Sequence, residues 1–212
     1  GGGPTFGFGL TPGPDAHSYL LDGGDELALV DCGTGTDSAI AHLTGHVRDD
    51  GLDPADISRL FVTHYHADHC AGASRYRDVL GLNVVASHES ADALETADHE
   101  ATSFDAARAR GYYPDEITFP PCPVGTRLQH GDAVRVGRLV VQFIATPGHC
   151  TGHGSYLVTG GERTYLFSGD SLFAGGRLLL QTTHDCDLQL SVAAVRAIGD
   201  LERQPPRADE LQ

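Results

Sequence analysis

The run His64-Tyr65-His66-Ala67-Asp68-His69 places three imidazoles and one carboxylate within six residues, directly after the apolar pair Phe61-Val62. Neutral imidazole and carboxylate together suit zinc, and also iron or manganese, and a loop at a strand end fans alternate side chains toward one point. A solvated histidine-rich turn is the competing reading. It fits poorly with a loop that leaves a buried strand and carries an Asp among its histidines. Two later segments repeat the grammar of an apolar run ending in a tight turn that presents one more donor. They close on Thr146-Pro147-Gly148-His149 and on Ser168-Gly169-Asp170. Taken singly, His149 also suits a capped turn and Asp170 a helix N-cap. Together with the cluster they read as one metal site.

Such donors need rigid carriers, and the apolar pattern supplies them. Ser18 to Leu21 and Leu27 to Val30 flank the turn Asp22-Gly23-Gly24-Asp25 and read as a hairpin. A helical period over Ser38 to Leu43 precedes a buried strand over Ile57 to Thr63 that runs into the histidine cluster. A helix near Ala71 to Leu80, a strand over Asn83 to Ala86 and a helix over Glu89 to Glu95, with Ser87 as N-cap, repeat the alternation. Residues 96–123 break the rhythm with Gly111-Tyr112-Tyr113-Pro114 and a proline-rich stretch, and read as a lid-like insertion. Strands return at Ala133 to Val136, Leu139 to Ala145, Ser155 to Val158 and Thr164 to Ser168, ahead of an amphipathic helix from about Leu188 to Leu201. One domain over residues 1–212 accommodates all of this. Pattern alone fits a sandwich of two sheets and a doubly wound sheet equally well.

The ordered motifs resemble those of the metallo-β-lactamase-fold hydrolases, whose HxHxDH signature stands here as His64 to His69, followed in the family's order by His149 and Asp170. Leu29-Val30-Asp31-Cys32-Gly33 is similar to the family's structural turn after its second strand. The resemblance covers about Ala16 to Arg203 and implies an α/β fold, a four-layer αββα sandwich of two mixed β-sheets with helices on the outer faces. It further implies two zinc ions, with iron, manganese or a single metal as alternatives. His64, His66 and His149 would hold one ion, Asp68 and His69 the other, and Asp170 would bridge them. The pair would supply a metal-bound hydroxide as nucleophile, with Asp68 as the catalytic carboxylate that orients it or shuttles its proton.

The family's further histidine, beyond the last helix, has no counterpart before Gln212, so the expectation is a chain incomplete at its C-terminal end. The absence of any Met gives the same expectation for the N-terminus. His184 reads as a loop residue or pocket contact, and His153 as a pocket residue beyond His149. Tyr112 and Tyr113, with Phe104 and Phe119, form either a wall over the substrate or a satellite core. Cys70 and Cys150 each follow a proposed ligand, and adjacent side chains usually point apart, so packing or supporting roles fall to them.

The net charge is −15, and all fourteen basic residues are Arg. No positive stripe that could neutralise phosphates is visible, which argues against nucleic-acid partners. No run reaches the length that spans a bilayer, and no basic-then-apolar leader opens the sequence, so a cytoplasmic protein without a membrane partner is expected. Five scattered cysteines without a CxxC pair read as free thiols. Within the family resemblance, Asp170 argues against a true β-lactamase. Acidity argues against the nuclease branches, and the lack of Lys and of a C-terminal helical domain against a full glyoxalase II. What remains is cleavage of a small carbonyl substrate, a thioester, lactone or other ester. A mononuclear iron persulfide dioxygenase-like oxidoreductase using His64, His66 and His149 is the alternative, and a non-catalytic metal-binding domain a third. Oligomeric state has no signal in the sequence.

Overall fold

The computed structural model describes residues 16–113, 115, 117–173 and 185–203. Its first sheet has the order β1-β2-β3-β4-β5, from Tyr19–Asp22, Leu27–Val30, Ile57–Phe61, Asn83–Ser87 and Thr126–Leu128. β1 and β2 pair antiparallel through the Gly-rich turn, with Tyr19 opposite Val30 and Asp22 opposite Leu27. β2 to β5 run parallel, because helices cross between them. All four residues of β2 are buried, as expected of an interior strand covered on both faces.

The second sheet joins β6 (Ala133–Val136), β7 (Leu139–Ala145), β8 (Gly154–Thr159) and β9 (Tyr165–Phe167) in that order. The expectation of two mixed sheets needs one refinement. Among the described residues only the first sheet is mixed, and the second is antiparallel throughout, because short hairpin connections leave no room for a crossover.

The inner faces of the two sheets meet in one core, where Phe61 of the first packs edge-on to Tyr156 of the second at 5.2 Å between centroids, with Val30, Val85, Val141 and Val158 around them. A second core lies between the outer face of the first sheet and the helices α1 (Asp37–Asp49), α2 (Ala67–Cys70), α3 (Ala73–Leu80) and α4 (His88–Thr96). Local chemistry fixes these helices. Thr36 caps α1 by accepting from the Ala39 amide at 3.2 Å, and Ser87 caps α4 through the Ser90 amide at 3.1 Å, the cap read from the sequence. α6 (Leu188–Arg203) lies against the turn Gly169–Ser171 and the turn at Gly148, where φ is +136° and a Cβ would meet the Ser191 nitrogen at 2.2 Å.

The described residues of 96–123 contain a short helix, α5 (Phe104–Ala109), and pack against the helix side of the first sheet. Phe104 is fully buried, with Tyr113 at 5.2 Å and Phe119 at 5.8 Å on its ring. The Thr102 carbonyl accepts the Ala67 amide at 3.0 Å, so this segment buttresses the start of α2 and the histidine loop. α2 and β5 are elements that the sequence pattern does not reveal. Four and three residues are too few for a period to register.

Candidate metal centre

The site is built where β2, β3, β7 and β9 end. Asp31 follows β2 with φ +56°, a left-handed conformation uncommon among non-glycine residues though less so for Asn and Asp, and is almost wholly buried. The reason for tolerating it is its carboxylate. Oδ1 accepts the Thr63 amide at 2.8 Å, while Oδ2 accepts the Thr63 hydroxyl and faces His69 Nδ1, each at 2.8 Å. One buried anion therefore fixes the loop after β3 and one imidazole of the cluster.

The same bonds decide the tautomers. Because the Thr63 hydroxyl donates its proton to Asp31, it accepts from His64 Nδ1 at 3.0 Å, which leaves His64 Nε2 as a lone pair. His69 Nδ1 donates to Asp31, and its Nε2 faces Asp170 Oδ1 at 3.3 Å and Asp68 Oδ2 at 3.7 Å. A carboxylate behind a ligating histidine both orients the ring and raises its basicity. His66 Nδ1 lies 2.9 Å from His149 Nε2, and His149 Nε2 lies 3.5 Å from Asp170 Oδ2. Asp170 thus turns one oxygen to each half of the cluster.

Two more residues hold Asp170 in place. Its amide donates to His153 Nε2 at 3.1 Å, and His153 Nδ1 reaches the hydroxyls of Thr146 and Ser171 at 3.0 Å each. Gly169 has φ +49°, and a Cβ there would meet His153 Nε2 at 2.7 Å and Thr63 at 3.0 Å.

Electrostatics match this geometry. Burial, reinforced by the neighbouring imidazoles, pushes His64 well below the usual histidine range and brings His66 down to about 4, so both offer lone pairs at neutral pH. Burial also opposes charge on His69, yet Asp170, Asp68 and Asp31 outweigh it and raise this imidazole well above its ordinary value. Asp170 moves down, since His69 and His149 overcome the burial that would raise it. The Nε2 atoms of His64 and His66 are buried without a hydrogen-bond partner. Such an atom costs about 1–3 kcal/mol unless something binds it. His64, His149 and Asp170 bring donor atoms within 4.8 Å of one another. A divalent cation fits this donor set.

A profile of the metallo-beta-lactamase superfamily matches residues 11–203. The chain belongs to the metallo-β-lactamase superfamily. Among curated relatives of this superfamily member, a hydroxyacylglutathione hydrolase of Rhodopseudomonas palustris is 31% identical over 120 residues, 57% of this chain and 36% of that protein. One from a Bradyrhizobium species is 26% identical over the same shares of both chains. The match therefore spans little more than a third of the curated relatives' length. Among solved structures, the Cronobacter sakazakii metallo-β-lactamase with a HARLDQ motif superposes with a TM-score of 0.65 at 26% identity, covering 90% of this chain and 71% of that one. The subclass B3 metallo-β-lactamase of Bradyrhizobium japonicum, at 22% identity and TM-score 0.65 over 87% and 67% of the two chains, shares the fold.

In this superfamily member the six ligand candidates from the sequence, His64, His66, Asp68, His69, His149 and Asp170, come together. Asp68 is the outermost, its side chain 43% exposed. It stands with His69 and Asp170 at a trough flanked by Tyr19, Phe167 and Phe173. The pocket candidates scatter. Tyr113 lies in the helix-side core and Tyr112 is exposed, and neither lines that trough; His153 sits beneath Asp170; His184 falls outside the described residues. Sequence reasoning noted the turn at Asp31 and missed what its carboxylate does, although an acidic residue closing a buried strand is the grammar that picked out Asp170. It also missed Tyr65, whose hydroxyl donates to Asp185 Oδ2 at 2.5 Å and ties the chain before α6 to the histidine loop.

Proposed function

We propose that the chain is a metal-dependent hydrolase that cleaves a small thioester, lactone or other ester, with two zinc ions as cofactor. The observation that carries this reading is that the single loop after β3, with His64, His66, Asp68 and His69, meets His149 and Asp170 from two other strand ends, with two buried imidazole nitrogens that have no hydrogen-bond partner. His64, His66 and His149 would hold one ion, and Asp68 and His69 the other, with Asp170 between them. A metal held there would supply a water whose pKa is lowered toward roughly 7 and an electrophile for the scissile carbonyl. The chain's own residues do the rest. Asp31 and Thr63 keep the ligand loop rigid. Asp68, at the rim, accepts the proton of the attacking water and returns it to the departing thiolate or alkoxide. The trough beside it, with Tyr19, Phe167 and Phe173 on its walls, suits the apolar part of an acyl group.

Five free cysteines and a net charge of −15 support a reducing cytoplasmic setting and a small-molecule rather than nucleic-acid substrate. No described helix is long and apolar enough to cross a membrane. The test is metal analysis by mass spectrometry joined to a panel of activated thioesters, lactones and aryl esters. Zinc-dependent turnover, lost to a chelator and restored by zinc, is the expected result. Failure of every substrate with metal restored would overturn the reading, and one iron per chain with thiol-dependent oxygen uptake would replace it with an oxygenase.

A further inference from the structure

The cluster contains a donor that the sequence pattern assigns to packing. Cys150 follows His149 directly and is fully buried. Its Sγ and a ring nitrogen from each of His64 and His66 all lie within 4.8 Å of one another. Around tetrahedral zinc, with bonds near 2.3 Å to sulfur and 2.0–2.1 Å to nitrogen, donors sit roughly 3.4–3.6 Å apart. Side-chain rotations of about an ångström close the difference. Two further observations point the same way. The Nε2 atoms of His64 and His66 are buried with no hydrogen-bond partner. Cys70, the other cysteine beside a ligand, instead donates to the main-chain carbonyls of Tyr65 at 3.2 Å and His66 at 3.4 Å. Cys150 is turned toward the imidazoles and has the Tyr65 hydroxyl against it.

We infer that Cys150 is a metal ligand, its sulfur joining His64 and His66 at a position that favours a soft or borderline divalent ion. The inference rests on the metal-centre reading given above. On binding, the S–H bond breaks, a sulfur–metal bond forms, and the proton passes to solvent. No oxidant or reductant takes part. A thiolate donor selects zinc or cadmium over manganese. His64 also belongs to the set with His149 and Asp170, so sulfur competes with those donors for the ion that His64 holds.

Cobalt(II) reports sulfur ligation directly, through a thiolate-to-cobalt charge-transfer band in the near ultraviolet. Metal-free protein reloaded with one equivalent of cobalt should show that band. Cys70→Ser and Cys186→Ser should retain it, and Cys150→Ser should lose it while still binding cobalt. Cys150→Ser should also lower the preference for cadmium over manganese by about tenfold or more. Cobalt-loaded wild-type protein with visible ligand-field bands and no charge-transfer band would overturn the inference and leave the metal centre standing. The same holds if Cys150→Ser keeps the band. Should the chain bind no cobalt at all, both readings fall. If Cys150→Ser does not fold, the wild-type spectrum alone decides.

Discussion

At the scale of single residues, the centre divides into groups that face the solvent-exposed trough and groups that hold them. Asp68 belongs to the first kind. Its side chain is 43% exposed, and among the described residues its ion-pair partner is His69 at 3.7 Å, so replacing it removes chemistry with little packing. Asp68→Ala should lower turnover by about 100-fold or more while leaving the circular dichroism spectrum unchanged. Wild-type rates in that variant would remove Asp68 from the mechanism. Asp31 belongs to the second kind. Three groups, the Thr63 amide, the Thr63 hydroxyl and His69 Nδ1, converge on it away from water. Asp31→Ala strands all three and should cost about 3–5 kcal/mol in urea unfolding, because the uncompensated partners stay buried. A loss under 1 kcal/mol would show that the loop finds other partners.

At the scale of elements, the turn after β9 is tightly constrained. Gly169 has no room for a Cβ, and the next residue must present its amide to His153 and its carboxylate to His69 and His149. Gly169→Ala should therefore cost roughly 1–3 kcal/mol of stability and weaken zinc binding by about tenfold or more, read by thermal melting and competitive chelator titration. Unaltered affinity would mean that the turn relaxes without moving Asp170. The His153 interaction also fixes a pH response. Its Nε2 accepts the Asp170 amide, so the ring is neutral, and burial, with His149 adding to it, lowers its pKa to about 3. An unfolded histidine protonates near 6.5. The unfolded state binds the extra proton between these values. Stability is complete above about pH 6.5 and falls as pH drops toward 3, by on the order of a few kcal/mol. Urea midpoints of the metal-free His153→Gln variant should fall less steeply over that range than those of the wild type, and parallel slopes would refute the assignment.

At the scale of the whole molecule, two sheets and their helices bring strand ends from residues 31 to 170 to one point, so the centre is itself a cross-link between halves of the fold. Binding a ligand only in the native state stabilises it by mass action. Zinc at about 100 times its dissociation constant adds about 2.7 kcal/mol. For a chain of this size that corresponds to a melting shift of roughly 5–10 °C on chelation and its reversal on readdition of zinc. Identical melting curves with and without chelator would argue that no metal binds the folded state.

Much of this was legible in the sequence because ligand chemistry is local. His64 to His69 announce a metal by residue type and spacing, and each later donor ends an apolar run, so strand and turn were readable together. Ser87 was legible as a cap for the same reason: an N-cap acts on an amide three residues away. What the sequence could not decide depends on contacts between distant segments. Asp31 meets Thr63 and His69 only after two parallel strands pair, and the Thr102 carbonyl supports Ala67 only after the 96–123 segment packs down. Tyr112 and Tyr113 suited either a wall over the substrate or a satellite core by type, and burial of apolar area draws Tyr113 onto Phe104 in the helix-side core. Cys150 read as a packing or supporting residue because neighbours in a chain usually point apart, whereas the fold brings its sulfur within 4.8 Å of ring nitrogens of His64 and His66. The sequence by itself determined the family, the six ligand candidates and most of the longer elements, since these depend on residue type and short spacing, while the short α2 and β5 escaped it. Tertiary structure alone decided which groups hold the ligand candidates, where a trough opens beside Asp68, and that the Cys150 sulfur comes within 4.8 Å of ring nitrogens of His64 and His66, since each of those is a distance between residues far apart in the chain or turned by the fold.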